Sequence, residues 1–232
     1  MENISQSLAG RVGVTHLLPL SFAEVGGAVP EIAVEHFMVR GGYPRLYQVD
    51  MPYEVYHQND IRTYRERDVT QLLKVQNIAA FRQLLGLLAL NTSNVINYTG
   101  LARDLGFLSH LLRIRDTSDL VGSVHVAAVM ENLVVAEPAK HDVHQGVSPE
   151  LFFYRDDSTI EIDLLDLTDT PRVITVKASA TYRPHQARHL ATIGPTLGIE
   201  PDQRWVVYRR THTQRGTEHR VVPVAAYLLF GN

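Results

Sequence analysis

Between Glu131 and Lys177 this 232-residue sequence sets out the side chains that a metal-dependent phosphodiesterase site needs. Glu131 falls in a helical pattern, Glu161 and Asp163 alternate along one strand pattern, and Lys177 ends the next. In such a site, hard carboxylate oxygens hold Mg2+ on the scissile phosphate. A lysine near the attacking water lowers its pKa or stabilises developing charge. Glu161 and Asp163 share strand parity, as do Thr175 and Lys177, which puts each pair on one side of its strand. A working site of this kind carries an acid two positions before the lysine. Thr175 stands there instead. A neutral hydroxyl cannot replace a carboxylate's charge on a divalent ion, which leaves Asp163 as the weak remaining metal ligand. The set Glu131, Glu161, Asp163 and Lys177 is therefore expected to be a degenerate catalytic site that holds no cofactor. The alternative is an active nuclease that uses Mg2+, with Glu161 standing in for the lost acid.

Other chemistries are narrower. Lys74, Lys140 and Lys177 are the only lysines, and the rest of the 22 basic residues are Arg. Seven of those Arg lie between 183 and 220, beside Tyr182, Trp205 and Tyr208. Arg183, Arg188, Arg209 and Arg210 could thus line a phosphate-binding face for DNA; the competing reading is a charged surface beside core aromatics. His185 and His189 have a metal-friendly spacing but no third ligand, and His141 to His144 reads as a solvated loop. No Gly-x-x-x-x-Gly-Lys-Ser/Thr motif occurs, so no nucleotide-binding residues and no ATPase activity are expected. The absence of Cys excludes disulfides, thiolate metal sites and cysteine nucleophiles. A net charge of −3 excludes a globally basic nucleic-acid coat. With 45% hydrophobic and 20% charged residues and a mean hydropathy of −0.08, the chain is expected to be globular. It has no apolar run of the roughly 18 to 20 residues that spans a membrane. No signal peptide is visible, so the expected location is cytoplasmic.

These residues need a scaffold, and the patterning supplies one. Val12, Val14 and Leu17–Leu18 read as a strand stopped by Pro19, after which Ser21 can cap a short helix. An apolar helix over Ile32 to Val39 should end at Gly41-Gly42-Tyr43-Pro44. Helices are expected over 53–74 and 77–90. Thr99 can cap another, with Gly106 at a tight turn, which is how a helix-turn-helix opens. The following stretch breaks at Asp116. A helix over Val124 to Ala136 should end before Pro138. Strands are expected at 151–155, 160–167, 172–177 and 205–209, a helix at 183–194, and a strand or short helix at 221–230.

Tyr154-Arg155, Glu161-Ile162-Asp163 and Val176-Lys177-Ala178-Ser179 together resemble the C-terminal domain of a large prokaryotic family of AAA-type predicted ATPases. That domain, of unknown function, is similar to the restriction-endonuclease fold. The resemblance continues upstream in the family's order. Leu8-Ala9-Gly10-Arg11 and Leu18-Pro19-Leu20-Ser21-Phe22 resemble the end of the ATPase domain, and Gly41 to Pro44 the linker. Arg67-Asp68-Val69 resembles the next helix, Leu101 to Gly106 the winged-helix region, and Glu131 to Val135 the helix opening the nuclease-like domain. The resemblance implies an α+β chain: an ATPase-domain remnant over 1–30, a helical, degenerate winged-helix region over 31–120, and an α/β restriction-endonuclease-like domain over 121–232. It also implies that residues are missing after Gly106 and that the chain is a truncated member. The expected function is non-catalytic binding of DNA or a partner ATPase. A third reading is a protein-interaction module with no nucleic-acid role, in which apolar surface left open near Leu17–Phe22 and after Gly106 drives homo-oligomerisation.

Overall fold

Ser21 opens the first helix as its position suggests. Its hydroxyl accepts from Glu24 N (3.2 Å), and Glu24 Oε2 accepts from Ser21 N (2.7 Å). This reciprocal cap satisfies two of the donors a helix start leaves free, and α1 spans Phe22–Ala28. In the computed structural model, residues 16–64, 104–156, 160–209, 214–215 and 218–230 are described. The readings of Val12, Val14, Arg67–Val69, the 77–90 helix and the Thr99 cap lie outside them. Leu17 and Leu18 are in neither helix nor strand, which corrects that part of the first expected strand.

The helix expected over Ile32 to Val39 is α2 (Val34–Arg40), stopped as expected at Gly41, whose φ is 86; a further short helix, α3 (Arg45–Gln48), follows Pro44. Next come α4 (Tyr53–Tyr64), α5 (Leu105–Leu111) and α6 (Thr117–Gly122). Gly106 makes no turn. Asp104 caps α5, its Oδ1 accepting from Phe107 N (2.8 Å), so Gly106 sits inside the first helical turn. The Asp116 break is likewise a helix start, with Asp116 Oδ1 accepting from Asp119 N (2.8 Å).

α7 (Val126–His144) leads into a six-stranded sheet of order β1-β2-β3-β4-β6-β5. Its strands are β1 (Leu151–Arg155), β2 (Glu161–Asp166), β3 (Arg172–Lys177), β4 (Arg204–Tyr208), β5 (Gln214–Arg215) and β6 (Arg220–Pro223). β1, β2 and β3 are antiparallel neighbours, β3, β4 and β6 run parallel, and β5 is antiparallel to β6. The β3–β4 crossover is a short 3-10 turn, Pro184–Ala187, followed by α8 (Arg188–Thr196). The ambiguous 221–230 segment resolves into β6 and then α9 (Val224–Phe230).

Alternation along the strands splits the core. Ile174, Val176 and Val207 pack with Val129, Met130, Leu133 and Val134 of α7, in a cluster that also takes in Phe22, Phe37, Met38, Leu105 and Leu108. Val173 and Val206 pack with Ala187, Leu190 and Ile193 on the α8 side. The N-terminal helices and the sheet region therefore share one hydrophobic core in an α+β architecture. Of the apolar face expected near Leu17–Phe22, Phe22 is buried in that core, Leu18 and Leu20 are half-buried and Leu17 is 90% exposed.

Pro138 does not end α7, a correction with a local cause. A proline inside a helix removes the N–H that would bond the carbonyl four residues back. Here the orphan acceptor, Val134 O, receives the Tyr227 hydroxyl from α9 at 2.9 Å. Tyr227→Phe would leave that buried carbonyl unpaired and should cost about 1–3 kcal/mol. A lower urea midpoint with an unchanged slope checks it.

Candidate functional site

The β2–β3 pair positions the residues singled out for chemistry. Leu164, Leu165 and Asp166 pair with Ile174, Val173 and Arg172, and continuing that register puts Asp163 opposite Thr175. On its other side, β2 is irregular. Phe152 pairs with Leu165 but Tyr154 with Ile162, so Asp163 and Leu164 together face Phe153. This is a β-bulge, which interrupts a ladder and re-aims side chains. On the β3 side the regular pairing runs only from Asp166 to Leu164, and beyond it the Asp163 carboxylate bonds to β3. Its Oδ2 accepts from Val176 N (2.6 Å) and from Thr175 Oγ1 (2.8 Å). Lys177 Nζ lies 4.0 Å from the same oxygen, with its side chain 34% exposed. Asp163 and Thr175 are both buried.

Bonding of this kind makes Asp163 an anchor for β3. A metal ligand must offer its lone pairs to the ion, whereas Oδ2 here already serves two short hydrogen bonds and a nearby ammonium. Thr175, Lys177 and Val173 share parity, so they face the α8 side of the sheet. Glu131 is half-buried on α7, the helix that covers the opposite side. Glu161 is half-buried at the start of β2; His189 Nδ1 lies 3.1 Å from its carbonyl oxygen and 3.2 Å from its nitrogen. Among the described residues, no group of three or more His, Cys, Asp or Glu side chains is placed to hold a metal ion. Glu131, Glu161 and Asp163 are therefore not gathered into one donor set that fits Mg2+. Asp163→Ala would strip the acceptor from Val176 N and Thr175 Oγ1. It should destabilise the protein by about 2–3 kcal/mol, the range for a bond to a charged group. Asp163→Asn, which keeps an acceptor oxygen, should cost less; comparing both by urea unfolding checks the anchoring role.

Of the basic residues, Arg183 and Arg188 are exposed around the 3-10 turn, and Arg188 Nε donates to His189 Nε2 (2.9 Å). Arg209 is engaged elsewhere, 3.7 Å from Glu35 Oε1 on α2. Arg210 lies outside the described residues. At the far edge of this region Tyr182 Oη and His219 Nε2 are 2.7 Å apart. Burial raises the Tyr182 pKa and lowers that of His219, which favours the neutral form of each. The His141 to His144 loop is in fact the last turn of α7, with His144 Nδ1 lying 3.5 Å from Glu24 Oε2.

Two polar nodes escaped the sequence reading. In the first, Lys140 Nζ donates to Glu137 Oε1 (2.7 Å) and to Leu20 O (3.2 Å), while Glu137 Oε2 accepts from Phe22 N (2.5 Å). Both side chains are almost completely buried, and Nζ lies 5.3 Å from the Phe37 ring centre. The i, i+3 spacing of Glu137 and Lys140 is the available signal, masked by reading Pro138 as a helix stop. In the second, Asp104 Oδ2 accepts from Gly42 N (2.7 Å), and Gly42 O accepts from Leu20 N (2.8 Å). The end of α2 is then closed from several sides. Ser109 Oγ donates to Met38 O (2.8 Å), Tyr47 Oη to Gly41 O (2.6 Å), and His57 Nε2 lies 3.0 Å from Arg40 O. The Gly41–Pro44 and Asp104–Gly106 motifs are therefore two halves of a clasp.

No described helix is long and apolar enough to cross a membrane. No curated protein and no solved structure matches this chain. Two family models do, meeting just before α7. Residues 32–123 match a domain of unknown function, DUF8612, in one stretch that runs across Gly106. Residues 127–227 match a second domain of unknown function, DUF4143, and that stretch carries the sheet and the Asp163 site.

Proposed function

We propose that this protein is a non-catalytic DNA-binding member of an ATPase-associated group, working through a nuclease-like domain that no longer uses a metal. The observation that carries the reading is the Thr175 hydroxyl donating to Asp163 Oδ2 at 2.8 Å, where an active site would set a second carboxylate beside a cation. The order of elements supports the nuclease-like part of the reading. One helix, three antiparallel strands, a crossover helix and a parallel strand place Asp163 and Lys177 on adjacent strands. The ordered motifs from Leu18 to Lys177, together with the DUF4143 match, support the link to an ATPase partner. Exposed Arg183 and Arg188 beside half-exposed Lys177 supply positive charge at the end of β3. Binding through such groups is carried by phosphate contacts and weakens with salt.

Fluorescence anisotropy with a labelled duplex, in EDTA and then in Mg2+, tests this. Binding should be the same in both, with no cleavage. Arg183→Ala/Arg188→Ala should weaken it about tenfold and flatten the salt dependence by about two phosphate contacts. No binding at low salt, or cleavage lost in Lys177→Ala, would overturn the reading.

A further inference from the structure

Among the described residues, β1 is the unguarded edge of the sheet. The opposite edge, β5, is two residues long and polar, as edges that avoid pairing tend to be. β1 is longer, has no Pro or Lys, and reads Leu-Phe-Phe-Tyr-Arg. Its principal packing partner is β2; α7 and α8 lie over the middle of the sheet. Phe152 and Tyr154 share strand parity and are 48% and 37% exposed.

Hydrogen bonding fixes which way its backbone points. Glu150 O accepts from Leu167 N (2.9 Å), and Asp156 N donates to Ile160 O (3.1 Å). Both even-numbered residues face β2, so Phe152 and Tyr154 do as well. The N–H and C=O groups of Leu151, Phe153 and Arg155 point away from the sheet.

We infer that β1 is a homodimer interface, pairing antiparallel with β1 of a second copy about a two-fold axis through Phe153. A two-fold axis normal to the sheet keeps the same face up in both copies, so paired residues must share parity. With Phe153 on the axis, all the outward groups find partners: Phe153 with its own copy, and Leu151 with Arg155 at each end. Phe152 then opposes Tyr154 of the second copy at a non-hydrogen-bonded position, where cross-strand side chains come closest. Other registers lose this fit. A slip one way brings Pro149, which has no N–H, opposite Arg155 and sets Tyr154 against Glu150. A slip the other way sets Phe152 against Asp156. In the favoured register Glu150 and Asp156 meet only at the two ends, a like-charge contact that keeps the association reversible. The result joins two six-stranded sheets edge to edge. This interface is independent of the DNA reading.

Analytical ultracentrifugation of the full chain, with hydrogen exchange on the same samples, tests it. A concentration-dependent dimer is expected. Within it the amides of Leu151 and Phe153 gain protection on dimerisation, whereas those of Phe152 and Tyr154 are protected throughout. Phe153→Pro removes an outward N–H without touching the β1–β2 ladder and should give a monomer. Phe152→Lys/Tyr154→Lys should do so through surface charge alone, which covers the case in which the proline variant misfolds. A monomer at all concentrations, a dimer that survives Phe152→Lys/Tyr154→Lys, or unprotected Leu151 and Phe153 amides in the dimer would each overturn the assignment.

Discussion

Glu137→Ala is expected to lower the unfolding free energy by about 3–5 kcal/mol, the usual cost of removing one partner from a buried ion pair. The Lys140 ammonium would keep only Leu20 O, at 3.2 Å, and the face of Phe37. Phe22 N would lose its acceptor as well. The damage should reach beyond α7, because the pair holds the backbone of residues 20–22 against the sheet region. Hydrogen exchange along α1 should rise with it. Lys140→Met should be nearly as harmful, since it strands the carboxylate. Glu137→Leu/Lys140→Met, which removes both charges, should cost less than either single change. Urea unfolding of all three variants gives the cycle. Single variants within about 1 kcal/mol of wild type would show that the pair does not hold the segment.

Gly106→Ala is the second large effect, about 3 kcal/mol, at the upper end of what overpacking costs. A methyl group there would run into the Arg40 carbonyl and come within 2.6 Å of Gly41 N. The obstacle is main chain, so no side-chain rotation relieves it. Opening that contact would also pull Asp104 off Gly42 N. A lowered thermal midpoint together with faster exchange at Gly42 is the expected signature. A shift no larger than that of a neutral helical Gly→Ala change, about 1 kcal/mol in the stabilising direction, would mean that the two segments separate readily.

Local signals in this chain were legible where the structure they specify is local. Ser21 and Glu24 form a cap within one turn. The three strands around Glu161 and Lys177 carry turn residues between them, and parity alone put Thr175 and Lys177 on one side. What failed depends on partners far away in sequence. Pro138 reads as a stop until Tyr227, on the last helix, supplies the missing donor. Gly106 reads as a turn until the end of α2 is seen pressed against it. Glu137 and Lys140 look like surface residues until Leu20 and Phe22 are placed over them. At the site itself, the sequence set Asp163, Thr175 and Lys177 on neighbouring strands, and the structure brings the three together. The bulge at Asp163–Leu164 was invisible, because neither residue has a bulge signature such as glycine. Equally hidden was the pair of hydrogen bonds by which Asp163 holds Thr175 and Val176 of β3.

The account rests on Asp163 being committed to β3 and not to a cation. Titrating Mn2+ into the 232-residue protein, with free aquo-Mn2+ followed by electron paramagnetic resonance, tests this most directly. Wild type is expected to take up no stoichiometric Mn2+, and Thr175→Asp, which supplies a second carboxylate, to gain binding. One Mn2+ bound per wild-type chain, and lost in Asp163→Asn, would contradict it.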